Sequence, residues 1–372
     1  MRIETVAVHA GADRDPVTRA VAPPIHLSTN YELGPGSEQI GGYIYGRNGN
    51  PTQDRLESAL AALEGGEAAL AFGSGVAAGA AVLQAIPPGS HVVFPDDVYY
   101  VYRQMAAEYL PRWGMESTIV DMSDLAALAA AVRPNTRLIW AETPSNPLLK
   151  VTDLAAVAEI ARRANALSLV DNTFSTPILQ RPIESGYDLV LHSTTKYMGG
   201  HGDVQGGAVV FRRRDAVFDA ARHVRDVQGA VASPFSSWLV LRGLRSLPCR
   251  VERHSSNAME VARFLAARPG VRAVHYPGLP GNPGHAVAAR QMSAFGGMLS
   301  FHVEAGQDAA VRTTSRTKVF VNATSLGGPE SLIEHRFSSE GPGSRTPDDL
   351  LRLSVGLESA QDLIEDLDQA LG

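Results

Sequence analysis

Lys196 closes the segment Ser193-Thr194-Thr195-Lys196, directly after the apolar run 188–191. In an extended segment the hydroxyls of Ser193 and Thr195 fall on one side. They could hydrogen-bond an anion while the lysine reaches a carbonyl. A lysine that forms a Schiff base has to sit at a wall rather than on a freely solvated face, so that its amine can be neutral. An ordinary strand-end lysine has the same local sequence. The chain, however, has only three lysines, Lys150, Lys196 and Lys318, so lysine chemistry has three candidates. Asp171 ends another strongly apolar run, 167–170. A carboxylate there loses solvation unless it is paired, either with the protonated ring nitrogen of a cofactor or with a helix or turn that it caps.

Gly73-Ser74-Gly75-Val76-Ala77 follows a predicted strand and opens a predicted helix. Small residues let the backbone approach a phosphate, which helix N-terminal N–H groups bind. The stretch matches G-x-G-x-x-A through Ala78, with Asp96 and Asp97 about 20 residues on, as in the dinucleotide fingerprint. It equally suits the phosphate cup of a mononucleotide-like cofactor, or a tight strand–helix packing turn. Tyr99, at another strand end, could stack on a flat ring and move protons; Tyr99, Tyr100 and Tyr102 also suit a core or an interface. Arg352, in the alternating stretch 351–355, could grip a carboxylate through two bonds or form a surface salt bridge. Taken together, these are the parts needed to hold pyridoxal 5′-phosphate (PLP) and an amino acid, with Asp171 as the acidic partner of the pyridine nitrogen. An NAD(P)-dependent oxidoreductase would leave Lys196 and its flanking hydroxyls without a purpose.

These residues need a frame. Short apolar runs at 68–72, 91–94, 117–120, 137–141, 167–170, 188–191 and 208–211 alternate with helical patterns such as 123–131 and 153–164. That order predicts an α/β fold with a mainly parallel sheet covered on both faces. Ligands then sit beyond the carboxyl ends of the strands. Residues just after the runs there are polar: Ser74, Asp96-Asp97, Glu142, Asp171-Asn172 and His192–Lys196. Asn50-Pro51 predicts a helix start and Gly65-Gly66 its end. Residues 11–50 carry four prolines and seven glycines without a sustained period. The tyrosines at 31, 43 and 45 favour an arm lying on another surface over a disordered tail. Beyond 211 the expectation is a helical stretch over 236–267, interrupted near Pro248. A smaller α/β unit follows, with strands at 271–275, 297–303, 318–321 and 351–355 and a last helix over 359–371. The division expected is an arm over 1–50, a large domain over 51–245 and a small C-terminal domain over 246–372.

The chain has 372 residues, 44% hydrophobic and 19% charged, with a formal net charge of −6. That composition is globular. Without a basic excess there is no electrostatic case for nucleic acid or an anionic membrane. One cysteine, Cys249, makes neither an intrachain disulfide nor a cysteine-rich metal site. The histidines lack metal-ligand spacing, so no metal is expected. Residues 1–10 contain Glu4 and His9 and no apolar core, so no secretory leader is expected, and the cytoplasm is the expected compartment.

The chain resembles the Cys/Met metabolism PLP-dependent enzymes, over nearly its whole length. The resemblance rests on Tyr43-Ile44-Tyr45-Gly46-Arg47 with Asn50-Pro51-Thr52, on the stretch from Glu142 to Pro147, on Asp171-Asn172-Thr173-Phe174, on His192 to Tyr197 and on Arg352-Leu353-Ser354-Val355-Gly356. It implies the aminotransferase-like fold type I. In that pattern Lys196 carries PLP, Asp171 pairs with the pyridine nitrogen, and Tyr99 stacks on the ring and helps move protons. Ser193, Thr195 and the N–H groups of Gly75 and Val76 hold the phosphate. Tyr45 and Arg47 complete that site from a neighbouring subunit, in a homotetramer built as a dimer of dimers. Arg352, with Asn146 and Ser325, binds the substrate α-carboxylate, with Arg47 or Arg336 as alternative anchors. The implied activity is transsulfuration of the cystathionine γ-synthase or γ-lyase kind, with replacement or elimination at Cγ of a homoserine ester or cystathionine. The alternatives are methionine or homocysteine γ-lyase, cystathionine β-lyase and O-acylhomoserine sulfhydrylase. Three stretches depart from the common pattern. Tyr99-Tyr100-Val101-Tyr102 replaces Tyr-Gly-Gly-Thr or Tyr-Gly-Cys-Thr. Ile44 stands where cystathionine enzymes often have an acid. His335-Arg336-Phe337-Ser338-Ser339-Glu340-Gly341 replaces His-Pro-Ala-Ser-Met-Thr-His.

Overall fold

The computed structural model describes residues 1–372. Each apolar run between 68 and 211 is a strand: β1 (Ala68–Phe72), β2 (His91–Pro95), β3 (Glu116–Val120), β4 (Thr136–Glu142), β5 (Leu167–Asp171), β6 (Leu189–His192) and β7 (Gly207–Phe211). They form one sheet in the order β1-β7-β6-β5-β4-β2-β3. Only β7 runs against the rest. The strands read as unbroken apolar runs because both faces are covered. Ala71, Val93, Ile139, Val170 and Val190 pack on one side. Phe72, Phe94, Trp140, Leu169 and Leu191 pack on the other.

Local sequence sets the helix that leads into this sheet. In helix Pro51–Glu64, Asn50 Oδ1 accepts from the Thr52 N–H at 2.9 Å, and Gly65 ends it at φ 78°. The Asn50 amide also donates to His26 O and Tyr31 Oη, tying the arm to the helix start. The arm rests on the body through Trp238 as well, whose indole donates to Pro23 O. Inside the arm region, residues Ile3–His9 form a helix that sequence periodicity did not register. Seven residues are too few for a period to show, and tertiary packing of Ala7 holds the helix in place.

Helices Ala216–Gln228, Pro234–Leu244 and Leu247–Ala267 follow the first sheet, the last two separated at residues 245–246. The helix at 216–228 was not anticipated. The second sheet contains β8 (Val271–His275), β9 (Met298–Val303), β10 (Val321–Asn322), β11 (Leu332–Glu334) and β12 (Leu350–Ser354), in the order β10-β11-β12-β9-β8. The strand expected at 318–321 is a correction. The backbone N–H groups of Lys318, Val319 and Phe320 donate to the Asp366 carboxylate at 2.7, 2.8 and 2.9 Å, which removes them from a sheet ladder. The strand begins instead at Val321 and pairs with β11, which sequence reading missed. β11 matters for the site because Glu334 lies directly across from Arg352 in β12. No helix is long and apolar enough to cross a membrane.

Candidate active site

A cavity of ≈ 330 Å³ opens at the carboxyl ends of β4, β5 and β6, against the second sheet. The backbone around it is built for close approach. A Cβ on Gly75 would come within 2.9 Å of the Ser193 Cβ, so the helix start at 75 and the segment after β6 meet only because residue 75 is glycine. Ser74 caps helix Gly75–Ala85 by accepting from the Ala77 N–H at 3.1 Å. The N–H groups of Gly75 and Val76, at the first two helical positions, have no intrahelical acceptor.

Lys196 lines the cavity, and its ammonium donates to Ser325 Oγ at 2.8 Å. Burial, reinforced by the positive charge of Arg352, lowers its amine to about 8. The other two lysines are elsewhere. Lys150 is paired with Asp96 at 2.9 Å and Asp121 at 2.8 Å, and Lys318 lies beside the Asp366 carboxylate near the C-terminal helix. Asp96 is therefore engaged in an ion pair and Asp97 accepts from the Ser145 hydroxyl, and neither lines the cavity. The ribose-binding role that the dinucleotide reading gave them has no place here.

Asp171 ends β5 beside Glu142 at the end of β4. Its Oδ1 accepts from the Thr173 N–H at 3.0 Å, and burial raises its carboxyl above the ordinary range. Burial and the Asp171 charge raise Glu142 also. Glu142 Oε2 accepts from the Tyr99 N–H at 2.9 Å and so fixes the backbone of the tyrosine. Burial, with help from Tyr100, pushes the Tyr99 phenol up to about 12. Tyr102 packs on Trp140 at 4.5 Å and donates to Gly75 O at 2.9 Å. All three tyrosines of the cluster line the cavity, Tyr102 buried and Tyr99 and Tyr100 half-buried.

Arg352 is buried, not a surface salt-bridge residue. Nη2 donates to Ser325 O at 2.9 Å and to Glu334, and Nη1 donates to Asn146 Oδ1 at 3.2 Å. Ser325 therefore touches both cationic groups, with its hydroxyl on Lys196 and its carbonyl on Arg352. It does so at φ 80°, a left-handed conformation that a serine holds only when its surroundings impose it.

The structure brings Gly75, Val76, Tyr99, Asn146, Asp171, Ser193, Thr195, Lys196, Ser325 and Arg352 to one cavity. Thr195 Oγ1 is engaged with the Gly206 backbone, donating to its carbonyl at 3.1 Å and accepting from its N–H at 3.0 Å. Tyr45 and Arg47 lie outside the cavity: Tyr45 is half exposed, and Arg47 donates to Asp226 O. Sequence reading did not single out Glu334, Ser339 or Thr173, which also line the cavity. The unusual segment 335–341 was the available pointer to the first two.

Known proteins resemble this chain along nearly its whole length. A model of the family "Cys/Met metabolism PLP-dependent enzyme" matches residues 4–372. The cystathionine gamma-synthase of Mycobacterium tuberculosis is 49% identical over 374 residues, covering 99% of this chain and 96% of its own. The cystathionine gamma-lyase of Bacillus subtilis is 42% identical over 379 residues, covering 100% and 99%. The crystal structure of cystathionine gamma synthase from Xanthomonas oryzae pv. oryzae in complex with cystathionine superposes with a TM-score of 0.95 at 42% identity, covering 100% of this chain and 98% of that one.

Proposed function

This chain belongs to the Cys/Met metabolism PLP-dependent enzyme family, and we propose that within it the chain acts at Cγ of a homoserine ester or cystathionine, as a cystathionine γ-synthase or γ-lyase. The single observation that carries the reading is the pairing, in one cavity, of a low-pKa lysine and a buried arginine linked through Ser325. That arrangement suits an α-amino acid, with its carboxylate on Arg352 and its Cα–H toward Lys196. Similarity to cystathionine γ-synthase across nearly the full length supports Cγ as the reacting carbon.

PLP is the cofactor of the family, and the residues present fit it. The free N–H groups of Gly75 and Val76 suit its phosphate. Ser193 is the hydroxyl beside them, since that of Thr195 is taken by Gly206. The raised Asp171 carboxyl is in no ion pair; Thr173 bonds it and His192 only steadies it from nearby, so a protonated pyridine nitrogen would supply the paired cation. When bound, PLP supplies an electron sink for negative charge at Cα.

In the proposed mechanism, the Asp171 carboxylate would hold a proton at the pyridine nitrogen of bound PLP, and Tyr99 would cover the ring. Arg352, steadied by Asn146 and Ser325, fixes the substrate carboxylate so that Cα–H points at Lys196. The Lys196 amine takes the α-proton as a general base, which its lowered pKa allows near neutral pH. Having passed that proton on to the electron sink that PLP would supply, the free amine can remove a second proton, from Cβ, and the leaving group then departs from Cγ with the bonding electron pair. Tyr45 and Arg47, outside the cavity of their own chain, complete the phosphate site of a neighbouring subunit, in a dimer of dimers. Product analysis tests the assignment. O-succinylhomoserine with cysteine should yield cystathionine, whereas methionine alone should be a poor substrate. Efficient release of a thiol from methionine, with no product from the ester, would overturn it.

A further inference from the structure

We propose that Tyr102 is a positioning residue for the cofactor's phosphate: its hydroxyl holds the peptide whose N–H, on Val76, faces that phosphate. The inference concerns the cofactor of the family and does not depend on which carbon of the substrate reacts. Tyr102 stands where the common pattern has threonine. Nothing in the mechanism above uses it.

The carbonyl of Gly75 and the N–H of Val76 belong to one planar, trans peptide unit and point in opposite directions. Fixing the oxygen therefore aims the N–H. Within the helix Gly75–Ala85 that oxygen faces the N–H of residue 79. Tyr102 Oη adds a second donor at 2.9 Å. A carbonyl oxygen has two lone pairs, so both bonds form together. At the other end of the plane the Val76 N–H has no acceptor within the helix, and Val76 lines the cavity. A hydroxyl on the oxygen also polarises the peptide, which makes its N–H a stronger donor to an anion.

Several neighbours are shaped to this contact. Tyr102 is buried and packs on Trp140 of β4 at 4.5 Å. Residue 79, one turn beyond Gly75, has no side chain, and a Cβ there would come within 2.5 Å of Tyr102 Oη. The phenol passes over the first turn of the helix only because residue 79 is glycine. Burial, with the charges of Asp171 and Glu142, raises the phenol well above its ordinary value, so the hydroxyl keeps the proton it donates. Tyr102 also follows Tyr99 by three residues, on the helix Tyr100–Gln104, and the two rings meet edge to face at 6.2 Å. Glu142 holds the Tyr99 N–H, which fixes where that helix begins. One short segment thus braces both ends of the cofactor, Tyr99 over its ring and Tyr102 behind its phosphate. A threonine hydroxyl at 102 would stop at Cβ, with the whole width of the tyrosine ring between it and Gly75 O.

The test uses the full chain freed of PLP and two probes, PLP and pyridoxal, which differ only in the phosphate. Binding of each is read as the change in visible absorption on titration. Pyridoxal cyclises in water, which weakens its binding equally for every variant and cancels between them. Tyr102→Phe removes the hydroxyl and leaves the ring on Trp140, and Gly75 O keeps its helical partner, so the fold should hold. The ratio of PLP affinity to pyridoxal affinity should fall about 3- to 10-fold, the range for one neutral hydrogen bond. Tyr102→Thr places the residue of the common pattern there, and its hydroxyl cannot reach Gly75 O, so the ratio should fall as far. An unchanged ratio in either folded variant overturns the proposal, because a residue that only supports the fold would weaken both probes equally. A wild-type chain that binds pyridoxal as tightly as PLP overturns it as well, whether or not the variants fold. Neither probe carries a Cγ, so a selective loss in an enzyme that fails the product assay would refute the Cγ reading alone.

Discussion

Stripped of PLP, the chain should recapture the cofactor with a rate that levels off near pH 8, not near the 10.5 of an ordinary lysine. Burial, then the charge of Arg352, lowers Lys196 to about 8. At neutral pH an amine titrating there is roughly one-tenth neutral, while a solvated lysine is neutral about once in 3000. Only the neutral amine attacks an aldehyde. The buried lysine should therefore react on the order of 300-fold faster at neutral pH than an exposed lysine of equal access. Stopped-flow absorbance after mixing apoprotein with PLP, from about pH 6 to about pH 11, reads the profile. Arg352→Gln removes a positive neighbour and should move the inflection upward. The same shift has a stability consequence. The unfolded chain keeps this proton up to about 10.5 and the folded chain releases it above about 8, so burial of the ammonium costs about 3 kcal/mol below pH 8. That cost is relieved as pH rises from 8 to 10.5. The stability gap between apo wild type and Lys196→Met should accordingly be flat below pH 8 and narrow above it. A capture profile that turns near 10.5, with a pH-independent gap, would refute the argument.

Arg352→Lys should lose about 2–4 kcal/mol in kcat/KM while the protein stays yellow, because a point ammonium cannot replace a fork that meets Asn146, Ser325 and Glu334 together; loss of the visible band would instead make it a cofactor residue. Mixing inactive Lys196→Ala with inactive Arg47→Ala chains should restore part of the activity through hybrid subunits, and a fully active monomer would contradict the shared site. Gly79→Ala should destabilise by about 1–3 kcal/mol, since its Cβ would come within 2.5 Å of Tyr102 Oη and 2.6 Å of Trp140, both buried; an unchanged Tm would show that helix 75–85 can shift without cost.

How much was legible in the sequence depended on the range of the interaction. The seven strands of the first sheet were readable because burial on both faces imposes apolar runs, and Asn50, Pro51 and Gly65 marked their helix by local hydrogen bonding and dihedral preference. Lys196, Asp171, Ser193 and Gly75 stood out because each stands at or just after the end of a strand, where an α/β sheet exposes its ligands. Beyond that range the sequence was silent or misleading. The apolar stretch 318–321 reads as a strand, and only Asp366, more than forty residues away, decides otherwise by taking its N–H groups. Arg352 alternates with apolar residues like an edge-strand cation, yet pairing with β11 buries it against Glu334. Whether a charge is buried, and which charge it meets, depends on segments brought together from distant parts of the chain. For the same reason the ionisation of Lys196 could be known only from the folded protein.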